Sequence, residues 1–373
     1  MPLKHIDPAQ YETQLAAKLG QFVEAFAPFG LPAPTVIRSA PLHYRLRAEF
    51  RMYHDDAGVH YAMFAADNPK QPVVIDSFPV ASQSICDLMT RLRNALQASP
   101  TLRHKLFQVD FLATLSGQLM ATLIYRKPID DDWAAAASEL AAKLGIEVIG
   151  RSRGIKKVIG RDWLLEGFEL NGRQLVYQQI EGSFSQPNGE VNRQMLGWAC
   201  QQAAGLGGDL IELYCGNGNF TVALAPLFDR VLATEVSKTS VRAAEYNFAA
   251  NQADNVSVVR LSSEEISAAM AGTETFKRLQ HVDLGQYRFS TIFLDPPRAG
   301  LDAQTLELAA GFDNILYISC NPETLRANVA ALHASHEIKA AAVFDQFPYT
   351  HHLESGLLLS RRSGKAAGGS GTL

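Results

Sequence analysis

The chain has 373 residues, of which 47% are apolar and 19% charged, with a formal net charge of −4. That balance excludes a disordered, collagen-like or disulfide-built chain, and no run approaches the ~18 apolar residues of a membrane span. Met1 to Gln10 lack the basic and apolar regions of a signal peptide, and the four cysteines (Cys86, Cys200, Cys215, Cys320) are too scattered for a metal or cluster site. The expected setting is a reducing cytoplasm, with no metal, no iron–sulfur cluster and no membrane partner. Charge is uneven. Residues 1–180 hold 20 Lys/Arg against 18 Asp/Glu, and residues 181–373 hold 14 against 20. This permits a nucleic-acid partner for the first half without requiring one.

Tyr11 to Phe26 carries apolar residues at helical spacing, and the Pro-rich stretch Pro28 to Pro41 ends that helix. His43 to Tyr53 then alternates as a strand does. Tyr44, Leu46, Ala48, Phe50 and Met52 share one face, while Arg45, Arg47, Glu49, Arg51 and Tyr53 share the other. Three arginines on an open face suit a phosphate backbone, although a merely solvated face reads the same way. A turn at Asp56-Ala57-Gly58 leads into Val59 to Phe64, and Pro72 to Ile75 is a further strand. Asp87 to Gln97 is helical, and Leu102 to Leu115 and Gln118 to Tyr125 flank Ser116-Gly117 as a hairpin. Arg103 to Phe107 mixes bases with an aromatic, as single-strand binders do, which makes Phe107 a candidate RNA contact. Asp131 to Leu144 is an Ala-rich helix stopped by Gly145, and two strands around Asn171-Gly172 close the half. The expectation is an α+β RNA-binding region over residues 1–180.

From Asn192 helices and strands alternate, the pattern of a doubly wound parallel sheet. The strands are 209–214, 230–235, 256–260, 291–294, 315–319 and 341–344. The α/β domain so defined covers residues 181–362, and the Gly-rich 363–373 is expected to be a disordered tail. After the first of these strands, Glu212-Leu213-Tyr214-Cys215-Gly216-Asn217-Gly218 opens a helix, and Glu235 ends the next strand. The glycines admit a ligand close to the backbone and Glu235 suits ribose hydroxyls. Thr221 stands where a dinucleotide loop wants its third glycine, so an adenosyl ligand without a pyrophosphate fits better. The E-x-x-x-G-x-G pattern with a later acid resembles that of the Rossmann-like class I methyltransferases, which implies S-adenosylmethionine as the ligand.

Asp295-Pro296-Pro297-Arg298 ends another strand, where the prolines fix the backbone beside a ligand. Cys320, between the strand 315–319 and Pro322, also sits at the ligand-binding edge. It lies near a helix N-terminus expected to favour the thiolate. Most free cysteines are small buried hydrophobes, and it is the surrounding motifs that set this one apart. A pyrimidine C5 is too weak a nucleophile to take a methyl unaided. A thiolate adding to C6 makes C5 nucleophilic, and a base must later remove the C5 proton. Glu354, in Phe347-Pro348-Tyr349-Thr350-His351-His352-Leu353-Glu354, is the preferred base, with the two histidines behind it.

These motifs, together with Ser319-Cys320-Asn321-Pro322 and Asp345-Gln346-Phe347-Pro348, resemble the RNA 5-methyluridine methyltransferases, the bacterial tRNA branch most closely. The resemblance covers almost the whole chain, including His43 to Arg51 and Leu102 to Gln108. It implies a Cys320 nucleophile and a Glu354 proton acceptor. It also implies S-adenosylmethionine contacts from Gln186, Tyr214, Asn219, Glu235 and Asp295. The implied substrate is a uridine in the tRNA T-loop, within the T-arm, reached by flipping the base, with other RNAs bearing a T-loop-like hairpin beside it. The ribosomal-RNA relatives usually carry a four-cysteine iron–sulfur site, whereas here Cys86 is the only cysteine before Cys200. A 23S ribosomal-RNA methyltransferase and an RNA-folding or binding protein with incidental methylation remain as alternatives. A small-molecule methyltransferase would leave the arginine strand unexplained.

Overall fold

The computed structural model describes residues 6–65 and 68–362, so the expected disordered tail lies outside the described residues. The first helix, α1 (Tyr11–Phe26), turns Leu15, Phe22 and Phe26 to one side. Its Phe22 and Phe26 pack among strand residues of the second half, such as Leu213, Leu232 and Leu357. The strand that follows, β1 (Thr35–Ile37), also leaves its own half, pairing in parallel with a strand near the chain's end. Residues 11–37 therefore lie with the second-half sheet, where they cover its outer strand and one apolar face.

Strands β2 (Arg47–Asp55), β3 (Gly58–Ala65), β4 (Asn68–Ile75), β5 (Leu106–Ala113), β6 (Leu119–Tyr125), β7 (Glu147–Ser152) and β8 (Ile155–Ile159) form a seven-stranded sheet. Its order is β4-β3-β2-β5-β6-β7-β8, antiparallel except at β6–β7. The parallel step needs a crossover, supplied by the Ala-rich helix 131–144. Burial alternates along β2 as read from the sequence, with Ala48, Phe50 and Met52 inside. The strand starts at Arg47, because His43 takes a left-handed φ of 57° and Arg45 makes only isolated bridges. Helix 83–98 begins earlier than expected, since Ser82 caps it by accepting from the Ile85 amide. Where an extended Leu102 was expected, Pro100 to Arg103 form one helical turn capped by Ser99.

The hairpin at Asn171-Gly172 joins β9 (Trp163–Leu170) to β10 (Arg173–Ile180), which pair only with each other. Its apolar residues Phe168, Leu170, Leu175 and Tyr177 pack with Val191, Met195 and Phe248 of the second half. This hairpin was expected to close the first unit, and it lies instead against the second.

The larger sheet adds β11 (Asp209–Leu213), β12 (Val231–Thr234), β13 (Val256–Val259), β14 (Phe289–Leu294), β15 (Asn314–Ser319), β16 (His336–Phe344) and β17 (Glu354–Arg361). Its order is β1-β16-β17-β15-β14-β11-β12-β13. β17 runs antiparallel between β15 and β16, and the other pairings are parallel. Strand order reverses at β11 and β14, and the crevice beyond their carboxyl ends is the ligand position of such sheets. Among the described residues no helix is long and apolar enough to cross a membrane.

Candidate active site

Four strand ends meet at that crevice. After β11 the chain turns through Tyr214, Gly216 and Gly218, with φ of 63°, 57° and 79°, into the helix 219–224. Gly218 has a second reason to be glycine, because a Cβ there would stand 2.5 Å from Phe248 Cε1. After β14 comes Asp295-Pro296-Pro297-Arg298. After β15 comes Cys320, followed by Asn321, whose side chain caps the helix 322–332 that Pro322 opens. β17 begins at Glu354. The β15–β17 register pairs Ser319 with Ser355, and carrying it one residue further sets Cys320 opposite Glu354.

These ends enclose a cavity of about 700 Å³. All seven residues expected to bind cofactor or do chemistry line it: Gln186, Tyr214, Asn219, Glu235, Asp295, Cys320 and Glu354. A side pocket of about 450 Å³, reaching Leu261 to Glu264, shares Tyr214 and Glu235 with it.

The cavity is acidic. Glu212 and Glu354 are almost fully buried, and Asp295 borders the same space. Burial pushes the Glu212 carboxyl up to about 8 and Asp295 up to about 7. Glu354 is raised well above the carboxylate range by burial and by the Asp295 charge. The Cys320 thiol is pushed up to about 11 by burial, then by the Glu354 and Asp295 charges, with Arg298 pulling the other way. The expected thiolate beside a helix N-terminus is therefore corrected, because burial and two carboxylates outweigh a partial dipole charge.

Among the described residues Glu212 Oε2 is buried at this cavity without a hydrogen bond of ordinary geometry, its neighbour being the Thr221 hydroxyl. Two buried carboxyl groups and a third, half-buried one suit a ligand carrying positive charge, as the sulfonium and ammonium of S-adenosylmethionine do. Glu235 is already oriented, its Oε2 accepting from the Gly216 amide at 3.0 Å and its Oε1 from Ser237 at 2.7 Å. Asn219 exchanges two amide hydrogen bonds with Asn192, 2.9 and 3.1 Å, so its side chain is fixed by another residue of the cavity wall.

The four candidate RNA contacts divide. Arg47 is half-buried and donates to the Ser183 carbonyl at 2.6 Å, fastening the loop that carries Gln186. Arg45 donates back to the Arg47 carbonyl at 2.8 Å. Arg51 and Phe107 do form a surface group, with the Arg51 guanidinium 4.1 Å from the Phe107 ring centroid and Arg126 3.9 Å from it. Arg126, at the end of the next strand, carried no motif to mark it.

Glu212, Arg298 and His352 also line the cavity and were not among the expected binding or catalytic residues. Glu212 was only the first letter of the glycine loop, yet it lies on the cavity wall. Arg298 donates to His352 Nδ1 at 2.8 Å, and both line the cavity. Their signal was present in the two boxes that hold them. What was missing was the knowledge that the boxes touch.

The sequence profile of the tRNA (uracil-5-)-methyltransferase family matches residues 10–362. The chain is 67% identical to the tRNA/tmRNA (uracil-C(5))-methyltransferase of Aromatoleum aromaticum, over 98% of this chain and 100% of that protein. It is 66% identical to the protein of the same name from Dechloromonas aromatica, over 97% and 100%. Its fold is similar to a Pyrococcus abyssi tRNA (uracil-54, C5)-methyltransferase solved with S-adenosyl-L-homocysteine. That match has a TM-score of 0.71 at 19% identity and covers 94% of this chain and 83% of that one. With the doubly wound sheet, the acidic cavity and the cysteine at its rim, these likenesses establish that the chain belongs to the tRNA (uracil-5-)-methyltransferase family.

Proposed function

We propose that the protein methylates C5 of a uridine in the tRNA T-loop, forming 5-methyluridine through a covalent bond between Cys320 and C6 of the ring. The observation that carries this reading is the single cavity holding Cys320 and Glu354 together with the adenosyl-binding loop. Gln186, Tyr214, Asn219, Glu235 and Asp295 would hold S-adenosylmethionine, which would supply an electrophilic methyl and leave as S-adenosylhomocysteine. The chain's own residues do the rest. The Cys320 thiol gives up its proton to solvent, favoured by the Arg298 charge, and Sγ bonds to C6. The C5–C6 π electrons shift toward the exocyclic C4 carbonyl oxygen, and the enolate so formed makes C5 the nucleophile. Once C5 carries the methyl, the Glu354 carboxylate takes its proton, the C5–C6 double bond reforms and the sulfur leaves. A carboxyl held above its ordinary range is a stronger base once ionised, which suits this step.

The relatives' name includes tmRNA, which supports a substrate class wider than tRNA. Incubating the enzyme with tRNA from a strain lacking the modification should yield one 5-methyluridine per molecule, mapped to the T-loop by mass spectrometry. Methylation elsewhere, or only of ribosomal RNA, would reject the assignment.

Arg51, Phe107 and Arg126 are the proposed RNA contacts outside the cavity. Arg51→Ala should weaken tRNA binding and reduce the slope of log affinity against log salt by about 0.7–0.9, the share of one phosphate. S-adenosylmethionine affinity should not move. An unaltered salt slope would return this face to plain solvation. Arg47→Ala is the poorer probe, since it also frees the loop at Ser183.

A further inference from the structure

The cavity wall contributed by residues 345–354 is held from behind by a helix from the other end of the chain. Lys18 of α1 is buried, and its ammonium has three donors. They meet Asp345 Oδ1 at 2.7 Å, the Phe347 carbonyl at 3.0 Å and the His352 carbonyl at 3.1 Å. All three acceptors lie on the connection between β16 and β17. From one turn earlier in α1, Gln14 Oε1 accepts from the Tyr349 amide at 2.8 Å. The Tyr349 hydroxyl donates to the Pro41 carbonyl at 2.8 Å and the Tyr44 hydroxyl to the Pro348 carbonyl at 3.3 Å.

This connection has two sides. Its Phe347 and His352 line the cavity and it delivers Glu354 there, whereas Lys18 does not line the cavity. Tyr349 sits at φ 61°, a conformation that a bulky residue keeps only where its surroundings impose it. Stability alone does not account for the device. A buried ion pair loses solvation about as large as its attraction, and well-packed apolar residues commonly do as well. Three hydrogen bonds from one ammonium instead fix three separate points of a nine-residue link.

We propose that Lys18 is a positioning residue for the reaction, holding the 345–352 connection so that Glu354 meets the C5 proton. The inference rests on the reading of Glu354 as the base. It makes the N-terminal helix part of the elimination step and not only a cover for the sheet.

The test uses the full-length enzyme and unmodified tRNA. Lys18→Met with Asp345→Asn removes both charges together, leaving no buried ion unpaired. Turnover should fall at least tenfold while S-adenosylmethionine affinity stays within twofold of the parent. The Cys320–RNA adduct should accumulate on denaturing gels, because attack proceeds and elimination lags. Lys18→Arg keeps the charge but not the three-point geometry, and should slow elimination at least threefold. If the double variant is insoluble, Lys18→Arg decides by the same measurements. Elimination at the parent rate in a folded variant, or lost turnover with no adduct, overturns the inference. Glu354→Gln run alongside separates the two claims. An adduct there but not in the Lys18 variants removes only the positioning role, and none in Glu354→Gln removes the base assignment and this inference with it.

Discussion

Glu354→Gln should trap the enzyme on its RNA. The variant keeps the shape of the side chain and loses the base, so Cys320 still attacks and the methyl still transfers, but the C5 proton stays. Turnover should fall by a factor of about 10²–10⁴, the usual contribution of a positioned base. A protein–RNA band resistant to denaturing electrophoresis should appear in its place. Attack itself need not slow. The Glu354 charge is one of the groups holding the Cys320 thiol up at about 11, and a neutral glutamine relieves it. Cys320→Ala should give neither product nor band, and the two changes together should also give no band. Parent-rate turnover by Glu354→Gln, or an adduct formed by Cys320→Ala, would reject the mechanism.

Glu212→Gln should make the ligand-free protein more stable in alkaline solution while weakening its hold on S-adenosylmethionine. The folded Glu212 carboxyl is raised from the ordinary 4.5 to about 8, mainly by burial, with Asp295 adding to it. The nearby Thr221 hydroxyl draws the value down somewhat, but neither it nor Glu212 Oε2 makes a hydrogen bond of ordinary geometry. The fold thus prefers the protonated form. That contribution is whole below pH 4.5, is lost as pH rises toward 8, and above 8 leaves a buried charge. At about 1.4 kcal/mol per pH unit the span sets a ceiling of ~5 kcal/mol, and local relaxation leaves on the order of 2–3. Denaturant melts should therefore separate variant from parent at pH 9 and nearly coincide at pH 4.5. Calorimetry should show S-adenosylmethionine binding weaker by roughly 1–3 kcal/mol, the loss of a charge-assisted contact. A variant no more stable than the parent at pH 9 would mean that the cavity already solvates this carboxylate.

The two effects have one cause. A site that must receive a cation keeps carboxyl groups where the empty fold would rather have none, and gives up stability to do so.

Much of the site could be read from the chain because its parts are local. Gly216 and Gly218 mark a turn that only positive φ permits, Pro296 and Pro297 end a strand, and Asn321-Pro322 cap and open a helix. Each states its conformation within a few residues, and each puts its chemistry at a strand's carboxyl end. The alternation from Tyr44 to Met52 likewise settled which face of that strand is buried, since a side-chain period of two follows from backbone geometry alone.

What the chain did not disclose was which ends are neighbours. Inserting β17 antiparallel between β15 and β16 sets Glu354 against Cys320, and no local pattern encodes a strand order. α1 and β1 were read with the first half and lie on the second-half sheet, because the choice between two apolar faces depends on their shapes. The Cys320 thiol was expected low and is held high, since its surroundings come from β14, β15 and β17 at once. Arg47 was read as free for phosphate and is fastened to Ser183, some 136 residues along the chain. Backbone preference acts over one or two turns, so sequence determined the elements and their chemical ends. Burial and charge act through space, and only the packed structure decided what each of those ends would face.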